Sequence, residues 1–148
     1  MSTRILIIAH APLAGALRQC ALHVFPDCGD AVTALDVQAS AAPEASIRVA
    51  RDLLRAAPDE AILVLTDIFG ATPSNVAQRL VDGVRSRLVT GVNLPMLLRA
   101  ITYRDQPLDT VVTRAIAGGT QGVMQVALTA PQNQARRNHD QDRNDHQQ

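Results

Sequence analysis

The sequence predicts an α/β domain, a three-layer sandwich in which a mostly parallel central sheet lies between helices. Two observations carry this. Short runs made almost wholly of Ile, Leu and Val recur along the chain, as strands covered on both faces require. Between them stand segments with apolar residues at helical spacing, opened by proline or by a capping residue.

Taken in order, residues 4–9 (RILIIA), 61–66 (AILVLT) and 87–92 (RLVTGV) read as buried strands bounded by turn or cap residues, and 31–37 (AVTALDV) as a weaker one. Helices are expected over 12–24, where Pro12 is tolerated in the first turn, and over 43–57, where Ile47, Ala50, Leu54 and Ala57 share one face. Two more, 73–81 and 94–103, follow the third and fourth strands, and another covers 108–117, ending at Gly118-Gly119. Residues 122–129 (GVMQVALT) alternate as a last strand would. From Pro131 the sequence PQNQARRNHDQDRNDHQQ has almost nothing to bury and is expected to be disordered. The organisation is therefore one domain over 1–130 and a polar tail over 131–148.

Composition removes several function classes. At 148 residues the chain can bury a real core, and with one Tyr and two Phe that core must be aliphatic. Equal numbers of basic and acidic residues, 14 each, argue against a nucleic-acid partner. Every basic side chain is arginine, so a Schiff-base lysine and a phosphate-loop lysine are excluded. Cys20 and Cys28 form no metal-ligand pattern and read as reduced, structural thiols of a cytoplasmic protein. His10 and Pro12 interrupt the first apolar run, bulky polar residues precede Cys20, and no run approaches the roughly 20 residues of a membrane span. Neither a signal peptide nor membrane insertion is expected.

Ligands of open α/β sheets sit beyond the carboxyl ends of the strands. His10 ends or just follows strand one, TDIFGATPSN (66–75) leaves strand three, and GVNLPM (91–96) leaves strand four. Asp67 leaves a buried strand, where a bare carboxylate is costly unless partnered. Gly70-Ala71 permit a tight turn into Thr72-Pro73, read as an N-cap and a first helical position. A helix N-terminus offers unpaired N–H groups and partial positive charge, which suit an anion. Thr72, Ser74 and Asn75 can add side-chain donors, and Asn93 repeats the capping device ahead of Pro95. An aspartate accepting from one ring nitrogen fixes the tautomer and leaves the other as a nucleophile. Each piece alone has a plainer reading, as a packed histidine, an Asx turn or an ordinary helix start. Their conjunction at one sheet edge points to a functional site without naming its reaction; with no phosphate-loop lysine, phosphoryl transfer through the histidine fits better than a nucleotide donor.

With those residues in view, the sequence resembles the enzyme IIA component of the mannose/fructose branch of the bacterial phosphoenolpyruvate-dependent phosphotransferase system. The resemblance spans about Arg4 to Ala130 and rests on the histidine after strand one, the D-x-x-G-x-[ST]-P-x-N pattern after strand three and GVN-[IL]-PM after strand four. It implies a phosphocarrier for sugar uptake. His10 would take the phosphoryl group from HPr and pass it to an enzyme IIB partner, while Asp67 pairs with and orients it. Gly70, Ala71, Thr72, Ser74 and Asn93 would surround the phosphoryl group, without cofactor or metal. It further implies a homodimer in which a C-terminal antiparallel strand, here 122–129, is exchanged. Ile68-Phe69 and Ala71 depart from the aromatic residue and glycines often found at this turn. That departure bears on partner or substrate preference.

The alternative is a stand-alone regulatory protein whose His10 phosphorylation state signals to other proteins, without sugar transport. The phosphoryl donor subunit of a dihydroxyacetone kinase ranks lower because its D-x-x-G turn looks different. A response-regulator receiver fits poorly, because it needs an acidic cluster after strand one and a lysine. His23, late in the first helix, cannot share a strand-end site with His10, and Arg99 and Arg104 read as solvated helix charges; His139 and His146 read as part of a solvated tail rather than as a weak metal site.

Overall fold

The computed structural model describes residues 2–56 and 58–128. Its elements run β1 (Thr3–His10), α1 (Leu13–Val24), β2 (Val32–Val37), α2 (Pro43–Arg55), β3 (Ala61–Thr66), α3 (Thr72–Gln78), β4 (Ser86–Thr90), α4 (Leu94–Thr102) and α5 (Leu108–Gln121). The four strands form one sheet in the order β2-β1-β3-β4, and every pairing is parallel.

The period of two along the central strands builds the three layers. Ile5, Ile7 and Ala9 of β1 and Leu63 and Leu65 of β3 pack in a core with Ala14 and Leu17 of α1, Leu97 and Ile101 of α4 and Val111 and Ala115 of α5. Leu6, Ile8, Ile62 and Val64, on the opposite face, pack with Ala50 of α2 and Ala77 of α3. A strand buried on both faces favours apolar side chains along its middle, which is why residues 5–9 and 62–65 are unbroken in the sequence.

Two expectations need correction. Helix α5 passes through Gly118-Gly119 and ends at Gln121. A Cβ on Gly118 would lie 2.7 Å from Arg99 Cβ, and one on Gly119 2.8 Å from Met96 Cε, so the pair permits close approach to α4 rather than ending a helix. Residues 123–128, expected as a strand exchanged between two copies, pair with no strand of the same chain. Thr129 and the tail 131–148 lie outside the described residues. Helix α3 begins at Thr72, with Ala71 in extended conformation as its N-cap and no side-chain cap bond, so Thr72 is the first helical residue and not the cap.

Boundary shifts are small. β4 stops at Thr90 because Gly91 takes φ +87°, a left-handed turn. Pro12 stands just outside α1, after a cis Ala11–Pro12 peptide, and α2 ends at Arg55. Among the described residues no helix is long and apolar enough to cross a membrane.

Candidate functional site

Strand β1 delivers His10 as its last residue. Ile5 to Ala9 are buried, and the imidazole that follows is half exposed. Asp67 is the first residue beyond β3, one step past the last β1–β3 pair, Ile8 with Thr66. Its side chain is only 14% exposed, so its oxygens need partners, and they have them.

Asp67 Oδ2 lies 2.7 Å from His10 Nδ1 and accepts the His10 backbone N–H at 3.1 Å. Oδ1 accepts the N–H of Ile68 at 3.0 Å. Partial burial works against the charged carboxyl, but the bonds from the His10 ring and backbone outweigh it and hold Asp67 below its ordinary value. An ionised carboxylate only accepts hydrogen bonds, so Nδ1 carries the proton and Nε2 carries the lone pair. The arrangement is a fixed, half-exposed imidazole with one nucleophilic nitrogen.

Next to it, Gly70 at φ +89° reverses the chain between Asp67 and α3. The first-turn amides of α3, those of Thr72 and Ser74 among them, have no intrahelical acceptor. The Ser74 side chain, however, is fully buried, and its hydroxyl has no hydrogen-bond partner. Asn93 caps α4 as expected, accepting the N–H of Met96 at 2.9 Å and donating to the Gly119 carbonyl at 3.1 Å. It follows β4, two strands from β1, which places it on the order of 10 Å from His10. The loop it belongs to is tied to the end of β3 by Val92 N–H donating to Thr66 C=O at 2.9 Å. The structure thus joins His10 and Asp67 directly, sets Gly70, Ala71 and Thr72 at the adjoining turn, and withdraws the side chains of Ser74 and Asn93 into internal positions. His23 is exposed on α1, away from this rim.

A scan against family models matches residues 4–117 to EIIA-man, described as the PTS system fructose IIA component. The chain belongs to this family. EIIA-man domains are components of the sugar phosphotransferase system, and the match spans every element that builds the rim. Among solved structures, the chain is similar to phosphotransferase system component EIIA from Streptococcus agalactiae, with 28% identity over 83% of this chain and 96% of that one, at TM-score 0.70. The mannose/sorbose-specific IIA subunit from Enterococcus faecalis is 21% identical over 88% and 98%, at TM-score 0.78. A sigma-54 interaction domain protein from E. faecalis, 15% identical over 81% and 92% at TM-score 0.70, shares the fold. No functionally curated protein matches significantly.

Two features of this EIIA-man rim were not legible as site features in the sequence. Leu13, three residues past His10, and Ile68 and Phe69, directly after Asp67, are exposed apolar side chains, Phe69 being 72% exposed. Asp36, on β2, turns its carboxylate onto the start of α1. The signal available was the Leu13-Ala14-Gly15 helix start, which brings no capping side chain of its own.

Proposed function

We propose that this EIIA-man chain is a cytoplasmic phosphocarrier that accepts a phosphoryl group from HPr on His10 Nε2 and passes it to an enzyme IIB partner for sugar uptake. The observation that carries the reading is the 2.7 Å contact between His10 Nδ1 and Asp67 Oδ2, which orients Nε2 outward. The Nε2 lone pair forms the new N–P bond as the donor's N–P bond breaks. The ring that then carries both the phosphoryl group and the Nδ1 proton is cationic, and the Asp67 carboxylate offsets that charge.

The phosphoryl oxygens meet the turn of Gly70 and Ala71, the Thr72 hydroxyl, and the first-turn N–H groups of Thr72 and Ser74, for which no cofactor or metal is required. Asn93 acts one step removed, by holding the β4–α4 loop. The apolar surface of Leu13, Ile68 and Phe69 suits protein partners that dock over the histidine. The same surface would serve a signalling reader of phospho-His10.

Homodimer formation by strand exchange is part of the same proposal. Val123, Met124, Val126 and Leu128 are 69 to 92% exposed after α5, an apolar stretch that wants a partner. Arg18 already takes the Val32 carbonyl at 2.8 Å on the outer strand β2, so β4 is the edge left for a second copy's segment. The domain so formed covers 1–130 and leaves 131–148 as a tail outside it.

Intact-mass measurement after incubation with phosphoenolpyruvate, enzyme I and HPr tests the carrier step. One acid-labile phosphate is expected on the wild type and none on His10→Ala. Full phosphate on His10→Ala would sink the proposal, and phosphorylation without onward transfer to any enzyme IIB would favour the signalling role.

A further inference from the structure

We infer that Asp36 is a positioning residue for His10, acting through the start of helix α1. The inference rests on His10 being the reacting residue, and it concerns what holds the imidazole in place rather than what the imidazole receives.

The link from His10 to α1 is short, and nothing within it satisfies the helix. Pro12 stands at the N-cap position and makes no side-chain cap bond, and no acidic residue lies in the first turn. Uncapped N–H groups in this link would leave its geometry loose. Asp36 supplies the missing acceptor from the neighbouring strand. Its Oδ1 accepts the N–H of Ala14 at 2.8 Å, and both oxygens lie 3.3 Å from the N–H of Gly15. A carboxylate at this end also complements the helix dipole.

The approach is shaped by a glycine. A Cβ at Gly15 would lie 2.9 Å from Asp36 Oδ2, closer than real contacts allow, so the carboxylate could not sit where it does. The register completes the clamp. Asp36 pairs with Ala9 and Val37 with His10, and Ala11 N–H donates to the Val37 carbonyl at 3.0 Å. The chain around His10 is therefore held on both flanks. Strand β2 takes the N–H groups of Ala11, Ala14 and Gly15, and Asp67 takes the N–H and ring of His10. Loss of the Asp36 carboxylate frees the start of α1 at residues 13–15 to shift, leaving the link after His10 held only by the Ala11–Val37 bond, and the Nδ1–Asp67 contact loosens with it.

The test compares the full 15N-labelled chain as wild type, Asp36→Ala and Asp36→Asn, with the ring neutral. The readout is the pair of His10 ring-nitrogen shifts. These separate an imidazole fixed as the Nδ1–H form on Asp67 from one that exchanges between tautomers. Wild type should show two well-separated shifts, and Asp36→Ala shifts drawn together. Asp36→Asn keeps an oxygen acceptor for the amides and should restore the separation. The turnover rate of His10 phosphorylation should fall roughly tenfold in Asp36→Ala with KM for the donor unchanged. Unchanged ring shifts in a folded Asp36→Ala overturn the inference whatever the rate. If Asp36→Ala does not fold, Gly15→Ala decides by the same criterion, since its Cβ displaces the carboxylate. A wild type that takes no phosphate would overturn the carrier reading alone, and the ring shifts would still decide the role of Asp36.

Discussion

Strand β1 has a neighbour on each side, and each neighbour carries an aspartate close to its carboxyl end. On the β3 side, Asp67 stands just past the strand, mostly covered, and its oxygens take the ring and N–H of His10 and the N–H of Ile68. On the β2 side, Asp36 is still within the strand, and its oxygens take only helix amides. The residue type and the layer are the same, but the donors differ. A carboxylate takes its task from the donors its backbone position brings within about 3 Å. Both stand level with Ala9, so the side of β1 on which each lies decides whether that donor is an imidazole or a helix.

The largest break in this comparison is Asp67→Ala. It should slow His10 phosphorylation by about 10²-fold or more in the steady-state rate, because the ring loses its fixed tautomer and the partner for its cationic form. The substitution should leave far-ultraviolet circular dichroism unchanged. A near-normal rate would remove Asp67 from the site.

Gly118→Ala lies away from both carboxylates and separates packing from chemistry. Its Cβ would meet Arg99 Cβ at 2.7 Å and the Pro95 carbonyl at 3.1 Å. Overpacking of this kind costs about 1–3 kcal/mol and should appear as a lower midpoint in urea unfolding. The rate of phosphorylation of the folded fraction should not change.

Asp36→Ala should cost about 1 kcal/mol of stability, the usual worth of a helix N-cap. For a chain of this size that is a fall in Tm of roughly 3 °C, readable by calorimetry. A much larger loss would make Asp36 a general strut of the fold and not a clamp on one link.

The smallest effect belongs to a third aspartate, Asp82, in the loop before β4 at the other end of the sheet. Backbone N–H groups of Val84, Ser86 and Arg85 depress its carboxyl from 3.8 to about 2. A depressed carboxylate contributes stability above its unfolded value and loses it as pH falls. Its contribution should therefore be complete above about pH 4 and vanish as pH drops through 3.8 toward 2. Asp82→Ala should flatten the acid limb of a Tm-against-pH curve and leave phosphorylation untouched. A change in phosphorylation would mean that the two ends of the sheet are coupled.

Much of the fold was legible because strands buried on both faces admit only apolar residues, which is how 61–66 was read to the residue. His10 and Asp67 were legible because a polar residue directly after such a strand is conspicuous and the architecture says where strands end. That the Ser74 side chain is buried was not legible, because residues in a helix's first turn face either way and only packing selects. Gly118-Gly119 misled for a related reason. Glycine ends helices when its backbone is free to turn, and lets two helices meet when a neighbour is close, and only α4 reveals which applies.

The sequence alone thus determined the alternation of strands and helices, the aliphatic core, the delivery of a histidine and an aspartate to one rim, and the family. These are properties of residue type and spacing along a line. The tertiary structure decided what no line can hold. It decided which ring nitrogen faces Asp67, that Asn93 also donates to the distant Gly119 carbonyl, and that Asp36 reaches α1 across a strand boundary. Each of these depends on distances between residues far apart in the chain. A hydrogen bond is made or lost over less than an ångström.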